Sequence, residues 1–208
     1  MRRTATTAHA ILGLLALRPA WPTYQITKQL RRNMRFFWPR TESRIYDEAK
    51  RLVERGLAVV QDERAGRRPR QVYRITDEGR DEIQRWLATP PRATALECEP
   101  LLRIYLADLS TRDQLFVALD QLRADADAIL NAGREAGSEY LQGTAPFQDQ
   151  VHVRGLVFDF LWSHAKMLRG WADRAEEAIR RWDELSPEER EVAALEVIRG
   201  HLAADRAR

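Results

Sequence analysis

Arg40, Thr41, Ser43 and Arg44 crowd into one short stretch, and Tyr46 and Lys50 follow at helical spacing. An arginine can pair bidentately with O6 and N7 of guanine, hydroxyls can meet phosphates or base edges, and a lysine can neutralise backbone charge. Asp47, in the same stretch, suits a cytosine amine or the orienting of an arginine better than a phosphate. A second group, Arg64, Arg67, Arg68 and Arg70, gathers four cations around Gly66 and Pro69, a composition suited to flanking phosphates or a minor groove. Both groups fall in residues 1–92, which carry 20 Lys+Arg against 10 Asp+Glu, whereas residues 93–208 carry 14 against 21. The formal net charge of +3 therefore hides a basic half that faces a polyanion and an acidic half kept off it.

Other chemistries lack their parts. The 208 residues contain no glycine-rich nucleotide loop, no paired metal ligands and no nucleophile with a neighbouring base. His9, His152, His164 and His201 are scattered, and His164 falls on an apolar stripe where a packed imidazole is expected. The expectation is of no catalytic residue, no metal and no cofactor. Cys98 is the one cysteine, which fits a reducing cytoplasm. Met1-Arg2-Arg3 and the apolar Ala10-Ile11-Leu12-Gly13-Leu14-Leu15-Ala16-Leu17 imitate a signal peptide, but Arg18 and Pro19 follow without a small-residue cleavage site. No apolar run nears the ~20 residues of a membrane span.

The elements that must position the two basic groups are legible from spacing. Ala8, Ile11, Leu12 and Leu15 recur at i, i+3, i+4 and i+7, the face of an amphipathic helix that Arg18-Pro19 ends. Thr23 is expected to cap a second helix with Ile26 and Leu30 inward. A third, over residues 41–55, puts Ile45, Ala49, Leu52 and Val53 on one face and stops at Gly56. Three short helices in ~50 residues read as a helix-turn-helix core. Two β-rich segments, residues 57–61 and 71–75, then flank a basic tip at 62–70, and Thr76 caps a helix bearing Ile83, Trp86 and Leu87.

Beyond Thr89-Pro90-Pro91 the patterns are helical. Ser110 is expected to start a helix with Leu115, Leu119, Leu122, Ala126 and Ile129 inward, which Gly143 and Pro146 interrupt. From about Gln150, Val153, Val157, Phe160, His164, Met167, Trp171, Ala175, Ala178 and Trp182 form a seam long enough to resemble a coiled coil. Ser186-Pro187-Glu188-Glu189 opens a last helix with Val192, Leu195, Ile198 and Leu202 inward. Phe158 and Trp162 are the first candidates to line a cavity for an aromatic effector.

The first half resembles the PadR family of transcriptional regulators. The resemblance is carried by Ala10-Ile11-Leu12-Gly13-Leu14-Leu15, Thr23-Tyr24-Gln25-Ile26, Phe37-Trp38-Pro39, Ser43-Arg44-Ile45-Tyr46, Leu52-Val53-Glu54-Arg55-Gly56-Leu57 and Gly66-Arg67-Arg68-Pro69-Arg70-Gln71-Val72-Tyr73-Arg74-Ile75-Thr76. It implies a dimeric repressor with Tyr46 near the DNA backbone and a small hydrophobic effector, often phenolic or drug-like. Thr23 stands where that pattern usually has glycine, and Asp47 where proline is common.

The expected protein is mainly α. Residues 1–92 form a winged helix-turn-helix with a small β-hairpin wing, and residues 93–208 form a helical dimerisation domain. Its expected partners are a palindromic double-stranded operator, a second copy of the chain and a small aromatic effector. The competing reading is a winged-helix adaptor for protein partners that does not bind DNA.

Overall fold

A computed structural model describes residues 5–65 and 68–206. The chain divides into two compact units, Met1–Ala95 and Leu96–Arg208. In the first, α1 (Thr6–Leu17), β1 (Trp21–Pro22), α2 (Thr23–Met34) and α3 (Glu42–Glu54) precede β2 (Ala58–Ala65), β3 (Arg68–Ile75) and α4 (Asp77–Leu87). Helix α1 is the hub, packing on α2, α3, α4 and β3. Its Ala8, Ile11, Leu12 and Leu15 are all buried, as their spacing requires. Ile26, Leu30, Ile45, Ala49, Leu52, Val72 and Ile83 are buried from the surrounding elements.

Local chemistry sets the boundaries. Thr41 caps α3, its side chain accepting from the Arg44 N–H, and Gly56 follows the helix at φ +70°, a conformation that glycine adopts without a Cβ penalty. Thr76 caps α4 by accepting from the Gly79 N–H at 3.1 Å. Gly79 is required for space: a Cβ there would lie 2.1 Å from the Leu57 carbonyl oxygen.

Two expectations change in this unit. Thr23 is the first residue of α2 rather than its cap, because Pro22 takes the cap position, and the Thr23 hydroxyl instead donates to the Gln71 carbonyl at 3.3 Å. The wing strands reach much further into the basic segment than the β-rich residues suggest. Pairing runs from Ala58↔Ile75 to Ala65↔Arg68, and the opposed Glu63 and Arg70 give that extension a favourable cross-strand pair. The sheet also gains β1, whose Trp21 and Pro22 pair with Tyr73 and Val72 to give the order β1-β3-β2. Two residues, one a proline without an N–H, suit an edge strand and leave almost no periodic signal.

The second unit holds α5 (Glu99–Tyr105), α6 (Arg112–Leu141), α7 (Val151–Arg181) and α8 (Pro187–Arg206). Thr111, not Ser110, caps α6, in a reciprocal box with Gln114. Leu115, Leu119 and Leu122 of α6 meet Ala172 and Ile179 of α7 in one cluster, with Leu168, Trp171, Ala175 and Trp182 partly buried against it. The fully buried stripe of α7 is Ala165, Ala172 and Ile179, a heptad spacing offset from the expected seam. Val153, Val157, Phe160 and Met167 are exposed in the single chain. Helix α8 buries no residue, so Val192, Leu195, Ile198 and Leu202 present an open apolar stripe where an inward one was expected. Ser186 and Glu189 form its starting box as read from sequence. No helix among the described residues is long and apolar enough to cross a membrane.

Candidate nucleic-acid interface

At ~100° per residue, the buried Ile45, Glu48, Ala49 and Leu52 of α3 leave Ser43, Asp47, Lys50 and Glu54 in a row on the opposite side. Arg44 is exposed at one edge of that row and Tyr46 is half-buried at the other. The row contains two carboxylates, Asp47 between a hydroxyl and an ammonium group and Glu54 at the end of the helix. Glu48, next to Asp47, is turned inward and neutralised by Arg51 at 2.7 Å. The outward face thus mixes cationic and hydroxyl donors with carboxylate and hydroxyl acceptors, which can read base edges as well as meet phosphates.

The first turn of α3 is fixed from within. The Thr41 hydroxyl lies 3.2 Å from that of Ser43 as well as capping the helix, so Thr41 holds the helix start before it can meet a ligand. Glu42 forms an ion pair with Arg31 of α2. Arg40 behaves differently from the helical residues: it is half-buried, with its guanidinium 4.4 Å from the centroid of the Trp38 ring. The sequence grouping of Arg40 with Ser43 and Arg44 is therefore split, because a flat guanidinium stacks well on an indole face.

In the wing, Arg70 is exposed but donates to Glu63 at 3.2 Å, and Arg74 donates to the same carboxylate at 2.7 Å. Arg74 also reaches Gln61 and the Pro19 carbonyl, tying the wing base to the segment between α1 and α2. Arg67 lies outside the described residues, and of Arg64 and Arg68 only the backbone in β2 and β3 is described. Sequence reasoning missed Glu63 and Arg74 as partners in this network. Strand register alone could have found the first, since Glu63 opposes Arg70. It also passed over Tyr24, whose ring is 60% exposed at the start of α2, with its hydroxyl accepting from Gln25.

The two effector candidates sit elsewhere. Phe158 and Trp162 of α7 stack on each other with centroids 5.5 Å apart and lie over Gly133 and Gly137 of α6, where the missing side chains make room for the rings. They fill the α6–α7 contact. Trp86 of α4 stacks on His9 at 4.8 Å, and His9 reaches Glu82 at 3.1 Å, clamping α1 to α4.

The profile of the transcriptional regulator PadR-like family matches residues 11–85, the span that contains α3 and the wing. Residues 11–85 are a PadR-like transcriptional-regulator domain. This PadR-like chain is 36% identical over 110 residues to a probable transcriptional regulator of Mycobacterium tuberculosis, covering 50% of this chain and 53% of that protein. It is 30% identical over 118 residues to the negative transcriptional regulator PadR of Bacillus subtilis, covering 55% of this chain and 64% of that protein. The matched region thus spans between about half and two thirds of those relatives' length. The fold is that of Bacillus subtilis PadR in complex with operator DNA, with a TM-score of 0.70 at 23% identity over 84% of this chain and 98% of that one. Bacillus subtilis PadR in complex with p-coumaric acid matches with a TM-score of 0.65 at 21% identity, over 86% and 98%. PadR-like proteins are regulators rather than enzymes.

Proposed function

We propose that this PadR-like chain is a cytoplasmic, sequence-specific repressor that binds a palindromic double-stranded operator as a homodimer and is released by a small aromatic effector. The carrying observation is the outward row of α3, Ser43, Asp47, Lys50 and Glu54 edged by Arg44 and Tyr46, followed by two paired strands whose sequence carries Arg64, Arg68 and Arg70. A recognition helix of this kind enters the major groove, and wing cations meet flanking phosphate or the minor groove. In the same arrangement the preceding helix crosses the backbone, which gives the exposed Tyr24 a phosphate to meet.

The remaining parts of the reading have their own supports. The exposed apolar residues of α7 and α8 are more than a soluble monomer normally leaves open, which favours pairing with a second copy. Repression follows the negative regulator among the relatives, and an aromatic effector follows the p-coumaric acid complex among the structural neighbours. An effector can weaken operator binding only by interacting differently with the bound and free forms. Footprinting on the DNA upstream of the chain's own coding region tests the proposal. Two protected half-sites with centres about one helical turn, ~34 Å, apart are expected. Absence of any protected site would overturn it.

A further inference from the structure

Asp47 lies in the outward row of α3, one turn after Ser43 and three residues before Lys50, exposed on the side opposite the buried Ile45, Ala49 and Leu52. It is the sixth residue of α3, within the N-terminal part of the helix, which in a recognition helix meets base edges. Glu54, the other carboxylate of the row, ends the helix about 10 Å further along the axis. Arg44 and Lys50 stand three residues before and after Asp47, within helical reach, yet among the described residues neither is paired with it. Glu48, one position on, shows the contrast, being buried and held by Arg51 at 2.7 Å. Among the described residues, then, no ion pair or hydrogen bond within the chain occupies the Asp47 carboxylate.

On a helix that faces DNA such a group is repelled by the phosphates and opposes sequence-independent binding. It suits tight binding only where a base donates to it. An ionised carboxylate can only accept, and the donors that bases show in the major groove are the N6 amine of adenine and the N4 amine of cytosine. Adenine carries the N7 acceptor beside its amine, which matches the amide of Asn or Gln and repels a carboxylate. Cytosine presents its amine alone. The guanine paired with it shows O6 and N7, acceptors that suit the cations Arg44 and Lys50 on either side of Asp47. We infer that Asp47 is a specificity-determining residue, accepting a hydrogen bond from the N4 amine of one cytosine in each operator half-site. The inference rests on the operator reading proposed above and adds to it the identity of one base pair.

Two effects of opposite sign follow. Truncating Asp47 removes a repulsion on any DNA and a hydrogen bond on the operator alone. Asp47→Ala should therefore bind random DNA more tightly than the wild type, while its preference for the operator falls by ~10-fold or more per half-site, the range of one lost base contact. A residue that only supported the helix would shift both affinities in the same direction. Because Asp47 is exposed, its truncation leaves the buried face of α3 intact.

Selection by the full chain from a random duplex library, followed by anisotropy titration on the selected operator, tests this. The wild type should select cytosine at one position of each half-site, and Asp47→Ala should accept all four bases there. At that cytosine, 2-pyrimidinone, which lacks only the N4 amine, should cost the wild type ~10-fold more than it costs Asp47→Ala. Comparing both proteins on both DNAs cancels any effect of the analogue on the duplex itself. An analogue that costs both proteins equally, a selected motif in which Asp47→Ala relaxes no cytosine, or a larger cost to the wild type from 7-deazaguanine in place of the paired guanine would overturn the inference; the last would make Asp47 an aid to a guanine-reading cation. Each of these leaves the operator reading standing, whereas selection of no motif at all would overturn both.

Discussion

Glu63 holds Arg70 and Arg74 across the wing, so part of the wing's charge is neutralised before DNA arrives. What remains for DNA is mainly sequence-independent attraction, and its signature is the salt dependence of binding. Replacing Arg67, Arg68 and Arg70 together with Ala should weaken binding to operator and random DNA alike. The slope of log K against log salt should flatten by about 0.9 for each phosphate contact removed. A salt titration by fluorescence anisotropy checks this, and an unchanged slope would take the wing out of the interface. Arg44 should behave differently, because it stands exposed at the edge of the outward row of α3. Arg44→Ala should cost about 1–3 kcal/mol on the operator and little on random DNA if it reads a base. Competition titrations with both DNAs measure the difference, and equal losses would make Arg44 a positioning residue only.

The scale of elements is where sequence and structure can be compared. Helices α3 and α4 were legible because each combines a buried stripe with a cap chemistry that works locally, Thr41, Thr76 and Gly56 acting where they stand, and α1 because its buried stripe runs up to Arg18-Pro19. The outward face of α3 followed from the same periodicity. The split of Arg40 from Ser43 and Arg44 did not, because stacking on Trp38 depends on a loop conformation that periodicity does not encode. On α7 the stripe that packs on α6, Ala165, Ala172 and Ile179, lies beside the bulkier seam legible in the sequence. Bulky Val153, Phe160 and Met167 outweigh Ala165 and Ala172 in any hydrophobic pattern, yet close packing on α6 favours the small residues. Gly79 carries a prediction at this scale. With its position only 2.1 Å from the Leu57 carbonyl once a Cβ is added, Gly79→Ala must displace backbone. It should destabilise the first unit by about 3 kcal/mol, the upper end for overpacking. Urea unfolding reads this as a lower midpoint with an unchanged slope.

Across the whole molecule, charge is divided between the units as function would divide it. The acidic second half is internally tied: Arg123 of α6 meets Asp173 at 2.9 Å and Glu176 of α7, and Arg180 also pairs with Glu176. The Arg180 and then the Arg123 hydrogen bonds hold the Glu176 carboxyl below its ordinary value of 4.5. A depressed value in the folded state means that the unfolded chain binds the proton first as pH falls. The stabilisation is therefore complete above pH 4.5 and is lost as pH drops below it toward the folded value. Thermal melts through that range should show the second unit losing stability, and Glu176→Gln should blunt the loss. A Glu176→Gln profile identical to the wild type would assign the acid sensitivity to other carboxylates.

The central claim is that two recognition helices act together on one operator, so that residues 1–92 alone keep every direct contact and lose the partner site. Avidity of this kind is worth about 10²–10⁴ in affinity. Anisotropy titration of the full chain and of residues 1–92 on the same palindromic operator and on random DNA tests it most directly. The account predicts one dimer per palindrome for the full chain, an operator affinity at least ~10³-fold above that for random DNA, and a loss of ~10²-fold or more on truncation. Equal affinity for operator and random DNA, or a truncated unit that binds as tightly as the full chain, would contradict it.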